Sequence, residues 1–282
     1  MKKIFIFLII STTLFSCELI NPEEDIPSYI HIPGFELSTV SGQGGNIHKI
    51  TDAWVFIDGN FQGVYEVPVT FPVLASGSHE IRLAAGIKMN GISSSREIYP
   101  FYTRHISERN LIQAKIDTIS PTVNYVSELT FGNLWIEDFE DAGLLLDTTF
   151  NSLADLKQIF DPNLNSKIGQ VELTESLNTF ECYSNAIDLP TNGSRVYIEM
   201  EYKCDHNFIV GLWAINANEV KNNPVMSLNS TSGTWNKIYI DLSQILIDNS
   251  TALNFILYIS ALKSSDVSTA SLAFDNIKIV HF

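Results

Sequence analysis

Basic residues are scarce in this 282-residue chain: 17 Lys and Arg stand against 32 Asp and Glu. Such a balance repels polyphosphates, and no stretch clusters Lys or Arg densely, so nucleic acid is not an expected partner. Catalytic signatures are missing too. The chain has no Gly-x-Ser-x-Gly, no His-Glu-x-x-His and no phosphate loop, and its six His residues are scattered singly. Carboxylates abound from Glu137 to Asp141, but they crowd one strand start instead of facing each other across a cleft. No enzyme activity is expected. Only three cysteines occur, Cys17, Cys182 and Cys204, with no metal-ligand spacing among them. The apolar run at the N-terminus is too short to span a bilayer, and no low-complexity segment interrupts the chain.

What is present begins with an address. Lys2 and Lys3 precede an apolar stretch from Ile4 to Phe15, which runs into Leu14-Phe15-Ser16-Cys17. This resembles the lipobox of a bacterial lipoprotein signal, which implies removal of residues 1–16 and lipidation of Cys17. The mature chain would then keep 266 residues (282 minus 16), enough for two modest domains. Residues 17–28 form an acidic, Pro-containing tether, Glu18-Leu19-Ile20-Asn21-Pro22-Glu23-Glu24-Asp25 at its start. The residue after Cys17 is not Asp, and the acids behind it are similar to surface-export signals of some outer-membrane lipoproteins. The resemblance implies a lipid-anchored protein of the outer membrane, on its outer face if those acids act as a signal and not merely as a solvated tether. Export to an oxidising compartment leaves two readings for Cys182 and Cys204: a disulfide between neighbouring strands, or two independently buried thiols.

Nearly everything after the tether alternates with period two between turn signals. Ala53–Ile57, His79–Leu83, Arg195–Tyr202 and Lys237–Leu242 read as strands, separated by clusters such as Asp58-Gly59-Asn60, Asn90-Gly91 and Thr191-Asn192-Gly193. Only Ser152–Phe160 carries helical spacing, through Leu153, Leu156, Ile159 and Phe160. The expected fold class is all-β, with two β-sandwich domains. Pro121 and Gly132-Asn133 mark a boundary, giving a first domain over 29–122 and a second over 128–282.

In the first domain, Val55-Phe56-Ile57-Asp58-Gly59-Asn60-Phe61-Gln62-Gly63 makes a tight hairpin. It is followed by Ser76-Gly77-Ser78-His79-Glu80-Ile81-Arg82-Leu83. Together these resemble the PEGA domain, a small Ig-like sandwich, over Ala53–Gly86. The proline-bearing segment Val67–Pro72 is placed differently from the family pattern. The resemblance implies a non-catalytic envelope interaction module, with His79 in a structural hydrogen bond at its turn. Arg96, Arg104, His105 and Arg109 form a loose basic cluster that reads as a solvated face.

The second domain opens on Trp135-Ile136-Glu137-Asp138-Phe139-Glu140. It passes through Gly233-Thr234-Trp235-Asn236-Lys237-Ile238-Tyr239-Ile240-Asp241-Leu242 and closes on Ala273-Phe274-Asp275-Asn276-Ile277-Lys278-Ile279. That order resembles the galactose-binding-like jelly rolls, which include many carbohydrate-binding modules. The first and last strands of a jelly roll lie close, so the resemblance implies a structural Ca²⁺ held by Glu140 and Asp275, with Asp138 second; the alternative is that Asp275-Asn276 only turns the chain. It further implies glycan as a partner. Sugar binding requires an exposed aromatic platform beside amides or carboxylates, for which Trp213, Tyr183, Tyr202 and Tyr258 are candidates, with Asn216, Asn185, Asn218 and Glu219 near them in sequence. Trp235 is expected in the core. An envelope protein partner is the competing expectation, to be favoured by an exposed apolar patch.

Overall fold

The computed structural model describes residues 25–129, 131 and 134–282; Cys17, its leader and most of the tether lie outside the described residues. The first sandwich contains β1 (Ser28–Ile32), β2 (Glu36–Ser38), β3 (Asp52–Ile57), β4 (Asn60–Glu66), β5 (Val69–Val73), β6 (Gly77–Lys88), β7 (Arg96–Ile98), β8 (His105–Leu111), β9 (Ile116–Thr118) and β10 (Thr122–Asn124). One sheet has the order β4-β3-β6-β7, with β8 also against β6. Opposite it, β1 lies between β5 and β9, and β2 pairs with β10. Inward residues such as Ile30, Ile32, Val55, Ile81 and Leu83 form the core between them, as the alternation requires. The β3–β4 hairpin turns at Asp58 and Gly59, both at positive φ, a conformation that Gly adopts freely. His79 Nδ1 sits 2.7 Å from Asp58 Oδ2 and its Nε2 3.1 Å from the Ser76 carbonyl, so the imidazole ties two turns together.

The second sandwich contains β11 (Ile136–Glu137), β12 (Leu146–Thr148), β13 (Lys157–Asp161), β14 (Ser166–Leu173), β15 (Thr179–Ser184), β16 (Val196–Cys204), β17 (Phe208–Ile215), β18 (Val220–Leu228), β19 (Asn236–Asp241), a one-and-a-half-turn helix α1 (Ser243–Asp248), β20 (Asn254–Leu262) and β21 (Ala270–His281). Its back sheet has the order β13-β14-β21-β16-β19, with β11 on β21, and its front sheet the order β12-β15-β20-β17-β18. The all-β expectation holds. The helix expected over Ser152–Phe160 does not form: Lys157–Asp161 pairs antiparallel with β14. Leu153, Ile159 and Phe160 are exposed, so their helical spacing corresponds to no buried stripe, and ladder pairing wins. Of the two readings left for the cysteines, the structure has the two buried thiols. Cys182 lies on the front sheet and Cys204 on the back sheet, and both are free and buried.

Much of the outer face of the back sheet, along β16, β19 and β21, is not solvated. Tyr197, Tyr239 and Val280 join the core of the first sandwich, against Tyr99, Phe101, Tyr102 and Tyr125. Charges are buried with them. Glu199 accepts hydrogen bonds from the phenols of Tyr99 and Tyr125, each 2.7 Å. Lys237 Nζ lies 3.2 Å from both Glu199 and Glu201, and Lys278 Nζ 3.7 Å from Glu199. Burial alone would raise the Glu199 pKa, but the charges of Lys278 and Lys237 override it and hold the carboxyl at about 2. Burial pushes Lys278 down to about 8 despite Glu199. Lys278 also donates to the Gln43 carbonyl (2.5 Å), and Gly45 N–H donates to Asn276 Oδ1 (2.8 Å), so residues 43–45 strap the first sandwich onto the network. A buried, mutually satisfied set of this kind fixes geometry more surely than it adds stability.

Candidate glycan-binding face

With the β16, β19 and β21 part of the back sheet covered by the first sandwich, the front sheet is the broader face of the second sandwich left to solvent among the described residues. Inward residues of its strands (Phe180, Cys182, Leu212, Phe255, Leu257) belong to the core, so alternation sends the residues between them outward. One outward row across the sheet runs Asp147, Tyr183, Tyr258, Gly211 and Pro224 in register. In the adjoining row Trp213 stands beside Ile256 and Asn222.

These rows gather three aromatic rings. Trp213 stacks on Tyr258 with centroids 5.3 Å apart and 21° between planes, and Tyr183 lies 5.9 Å from Trp213. Gly211 makes the arrangement possible: a Cβ there would sit 2.2 Å from the Tyr258 ring, which lies across the bare backbone. Tyr258 is therefore the buried floor, while Tyr183 and Trp213 keep part of their surface in solvent. Burial, and then the Glu181 carboxylate, push the Tyr258 phenol above its ordinary value, so it stays a neutral hydrogen-bonding group. Further along the strands the face dips into a depression of about 600 Å³ lined by Thr179, Glu181, His206, Ile209, Ser227 and Ser260. Rings flanked by a carboxylate, an amide and hydroxyls can bury an apolar C–H face while reading neighbouring hydroxyl groups.

The other expected ligand residues lie elsewhere. Tyr202 points between the sheets, 4% exposed, with its ring edge-on to Phe208 and its hydroxyl accepting from Asn236 (2.9 Å). Its strand belongs to the covered back sheet, so it cannot serve the platform. Asn216 closes the β17–β18 hairpin, donating N–H to the Glu219 carbonyl (2.9 Å) and accepting from Thr251 Oγ1 (3.1 Å). Asn185 accepts from Trp135 Nε1 at 2.8 Å. Trp235, expected in the core, is only half-buried. It donates Nε1–H to Asp161 (3.4 Å) beneath the Lys203 ammonium, 5.2 Å from the ring.

Glu140, Asp138 and Asp275 all line one pocket of about 230 Å³, together with Ser166, Glu201 and the Gly44–Gly45 strap. Ser166 Oγ joins two of them, 2.8 Å from Glu140 Oε1 and 3.3 Å from Asp275 Oδ2. Asp138 instead accepts the Glu140 N–H (3.1 Å). Among the described residues no three His, Cys, Asp or Glu converge as a metal-holding group. Burial, and then the nearby Glu201 charge, push Asp275 up to about 7. The carboxylates and Ser166 offer oxygen donors of the kind a hard cation takes, but Glu201 is already paired with Lys237 (3.2 Å) and the Lys167 ammonium sits 2.8 Å from the Glu140 carbonyl.

No family model matches the chain, and no curated protein matches it. Several solved structures are distantly similar. A carbohydrate-binding module of the β-sandwich superfamily shares 13% identity over 92% of this chain and 99% of its own, with a TM-score of 0.40. The family 11 carbohydrate-binding module of a Clostridium thermocellum cellulosomal cellulase shares 15% over 53% of this chain and 95% of its own, at 0.36. The CBM22-1–GH10 modules of a C. thermocellum endo-1,4-β-D-xylanase share 14% at 0.37, and the match spans 53% of this chain but 28% of that one.

Proposed function

We propose that this protein is a non-catalytic cell-envelope lipoprotein that binds glycan on the front sheet of its second sandwich. The observation that carries the reading is the Tyr183–Tyr258–Trp213 cluster on the solvated sheet face, bordered by Glu181, Asp147 and Asn222. Lipid on Cys17 would hold it to the outer membrane, on the outer face where glycans are accessible, with the PEGA-like first sandwich as a rigid base. The crowded carboxylates favour binding over catalysis: both oxygens of Glu137 are taken by the N–H groups of Phe139 (2.8 Å) and Leu145 (2.5 Å). A Ca²⁺ between Glu140 and Asp275 belongs to the same proposal, as a brace for the first and last strands. A glycan array probed with residues 18–282 in Ca²⁺ tests the central claim. We expect a reproducible hit that Trp213→Ala abolishes, and a blank array with folded protein refutes glycan binding for the ligands displayed. Metabolic labelling with palmitate, lost in Cys17→Ser, tests the anchor.

One observation favours a second reading, an envelope protein partner on the first sandwich. Phe61 (53% exposed) and Ile106 (55%) stand on its outer sheet face beside Trp54 and Phe56, whose rings lie 5.7 and 5.4 Å from Phe61. Loss of a co-purifying envelope protein in Phe61→Ser would support it.

A further inference from the structure

A second cleft, of about 600 Å³, opens where the two sandwiches meet. Its walls come from Lys49, from the β6 end and the turn after it (Lys88–Ser93), and from the β18–β19 region of the second sandwich. Its charge is unlike that of the rest of the chain. Acids outnumber bases 32 to 17 overall, yet the charged residues lining this cleft are Lys49, Lys88 and Lys237, with no Asp or Glu among them. Lys237 is neutralised by Glu199 and Glu201. Lys88 is held by Glu66 at 3.1 Å, which also binds Arg96 at 2.8 Å. Lys49 has no carboxylate within 4 Å among the described residues; its ammonium rests on the Asn236 amide oxygen. Partial desolvation, and then the charge of Lys88, lower its pKa.

Lys49 is thus the lining cation left without a carboxylate partner among the described residues, and an anion seated against it would supply the missing counter-charge. The rest of the lining indicates which anion. Amides and hydroxyls (Asn90, Asn229, Ser230, Thr231, Asn236) outnumber the cations, and Trp235 and Met226 supply apolar surface. No arginine fork is available for planar, bidentate grip on a bare oxyanion. Few charges among many hydroxyl-reading groups and an aromatic edge suit a polyhydroxylated ligand bearing a carboxylate. Clefts at domain junctions are a preferred place for such sites.

We propose that the junction cleft is a second binding site, taking an acidic saccharide whose carboxylate is received by Lys49 and Lys88. It shares only Ser227 with the depression on the front sheet, and it stands on its own residues whether or not that face binds glycan.

The test is calorimetric titration of the whole chain with trigalacturonate at low ionic strength. Its methyl ester serves as the uncharged control and inorganic phosphate as competitor. Saturable binding is expected, weakened by added salt and reduced roughly tenfold or more by Lys49→Gln, which removes one charge-assisted hydrogen bond. Lys49 is exposed, so its replacement disturbs no core packing, and Lys88→Gln should act in the same direction. No binding of trigalacturonate, equal binding of the methyl ester, or unaltered affinity in Lys49→Gln overturns the proposal. Displacement by equimolar phosphate reduces the cleft to a simple anion site. Loss with Trp213→Ala moves the ligand to the front sheet, and either of these two results also overturns it.

Discussion

Replacing Glu199 by Gln keeps the side chain's shape and removes the negative charge at the centre of the domain junction. Lys237 retains Glu201 at 3.2 Å, but Lys278 loses the only carboxylate within 4 Å of it among the described residues. Its remaining partners are the Gln43 carbonyl and the Tyr125 hydroxyl, both neutral. Stranding one partner of a buried pair costs about 3–5 kcal/mol. A ceiling follows from the proton: deprotonating a lysine of pKa 10.5 at pH 7 costs about 5 kcal/mol at 1.36 kcal/mol per unit. The native lysine binds a proton less readily than the unfolded one, so the penalty shrinks as pH rises toward 10.5. Urea unfolding followed by intrinsic fluorescence should therefore show Glu199→Gln destabilised by about 3–5 kcal/mol at pH 7, and less so at pH 9. Glu199→Gln/Lys278→Met should recover much of the loss. A single variant within about 1 kcal/mol of the parent, or a double variant whose cost is the sum of its parts, would refute an energetically coupled junction.

Gly211→Ala should displace the Tyr258 ring, abolishing ligand binding on the front sheet while the far-ultraviolet spectrum is kept; unchanged binding would remove Tyr258 from the platform. In chelator, native Asp275 (pKa about 7, from 3.8) holds a proton that the unfolded chain releases, so stability falls as pH rises from about 4 to 7. Asp275→Asn should flatten that profile and add up to about 4 kcal/mol at neutral pH, whereas added Ca²⁺ should raise the melting temperature of the parent alone. Burial pushes the Cys182 thiol up to about 12 and raises Cys204 as well. Both should resist a thiol reagent in the native state and react fully in urea; absence of free thiols in urea would contradict the unbonded pair.

Strand positions were the most legible part of the sequence, because Arg195–Tyr202 and Lys237–Leu242 alternate in register with their neighbours. What alternation could not reveal was which sheet face faces water. Residues 195–202 read as a half-exposed strand, yet Tyr197, Glu199 and Glu201 are buried because the first sandwich lies on them. That docking is long-range, between Tyr99 or Tyr125 and Glu199, and leaves no local periodicity. The same ambiguity put Tyr202 among the ligand candidates, whereas Tyr183 and Trp213 share a face because their strands flank β20. A Glu or Lys at the centre of an otherwise apolar strand, as in Tyr197-Ile198-Glu199-Met200-Glu201, is the one local sign that the outer face meets something other than solvent. Trp235 was misread for a related reason: a turn beside a domain junction gives a tryptophan a half-buried place outside either core.

The way the first sandwich closes has a mechanical consequence. The strand that follows the N-terminal segment, β1, runs parallel to β9, and β2 runs parallel to β10, which leads into the second sandwich. A pull on residues before Pro27, resisted by a ligand held on the second sandwich, acts on opposite ends of parallel strands. Their hydrogen bonds are then loaded together in shear rather than opened one at a time, so the fold is arranged to resist force along the line joining Pro27 to the second sandwich.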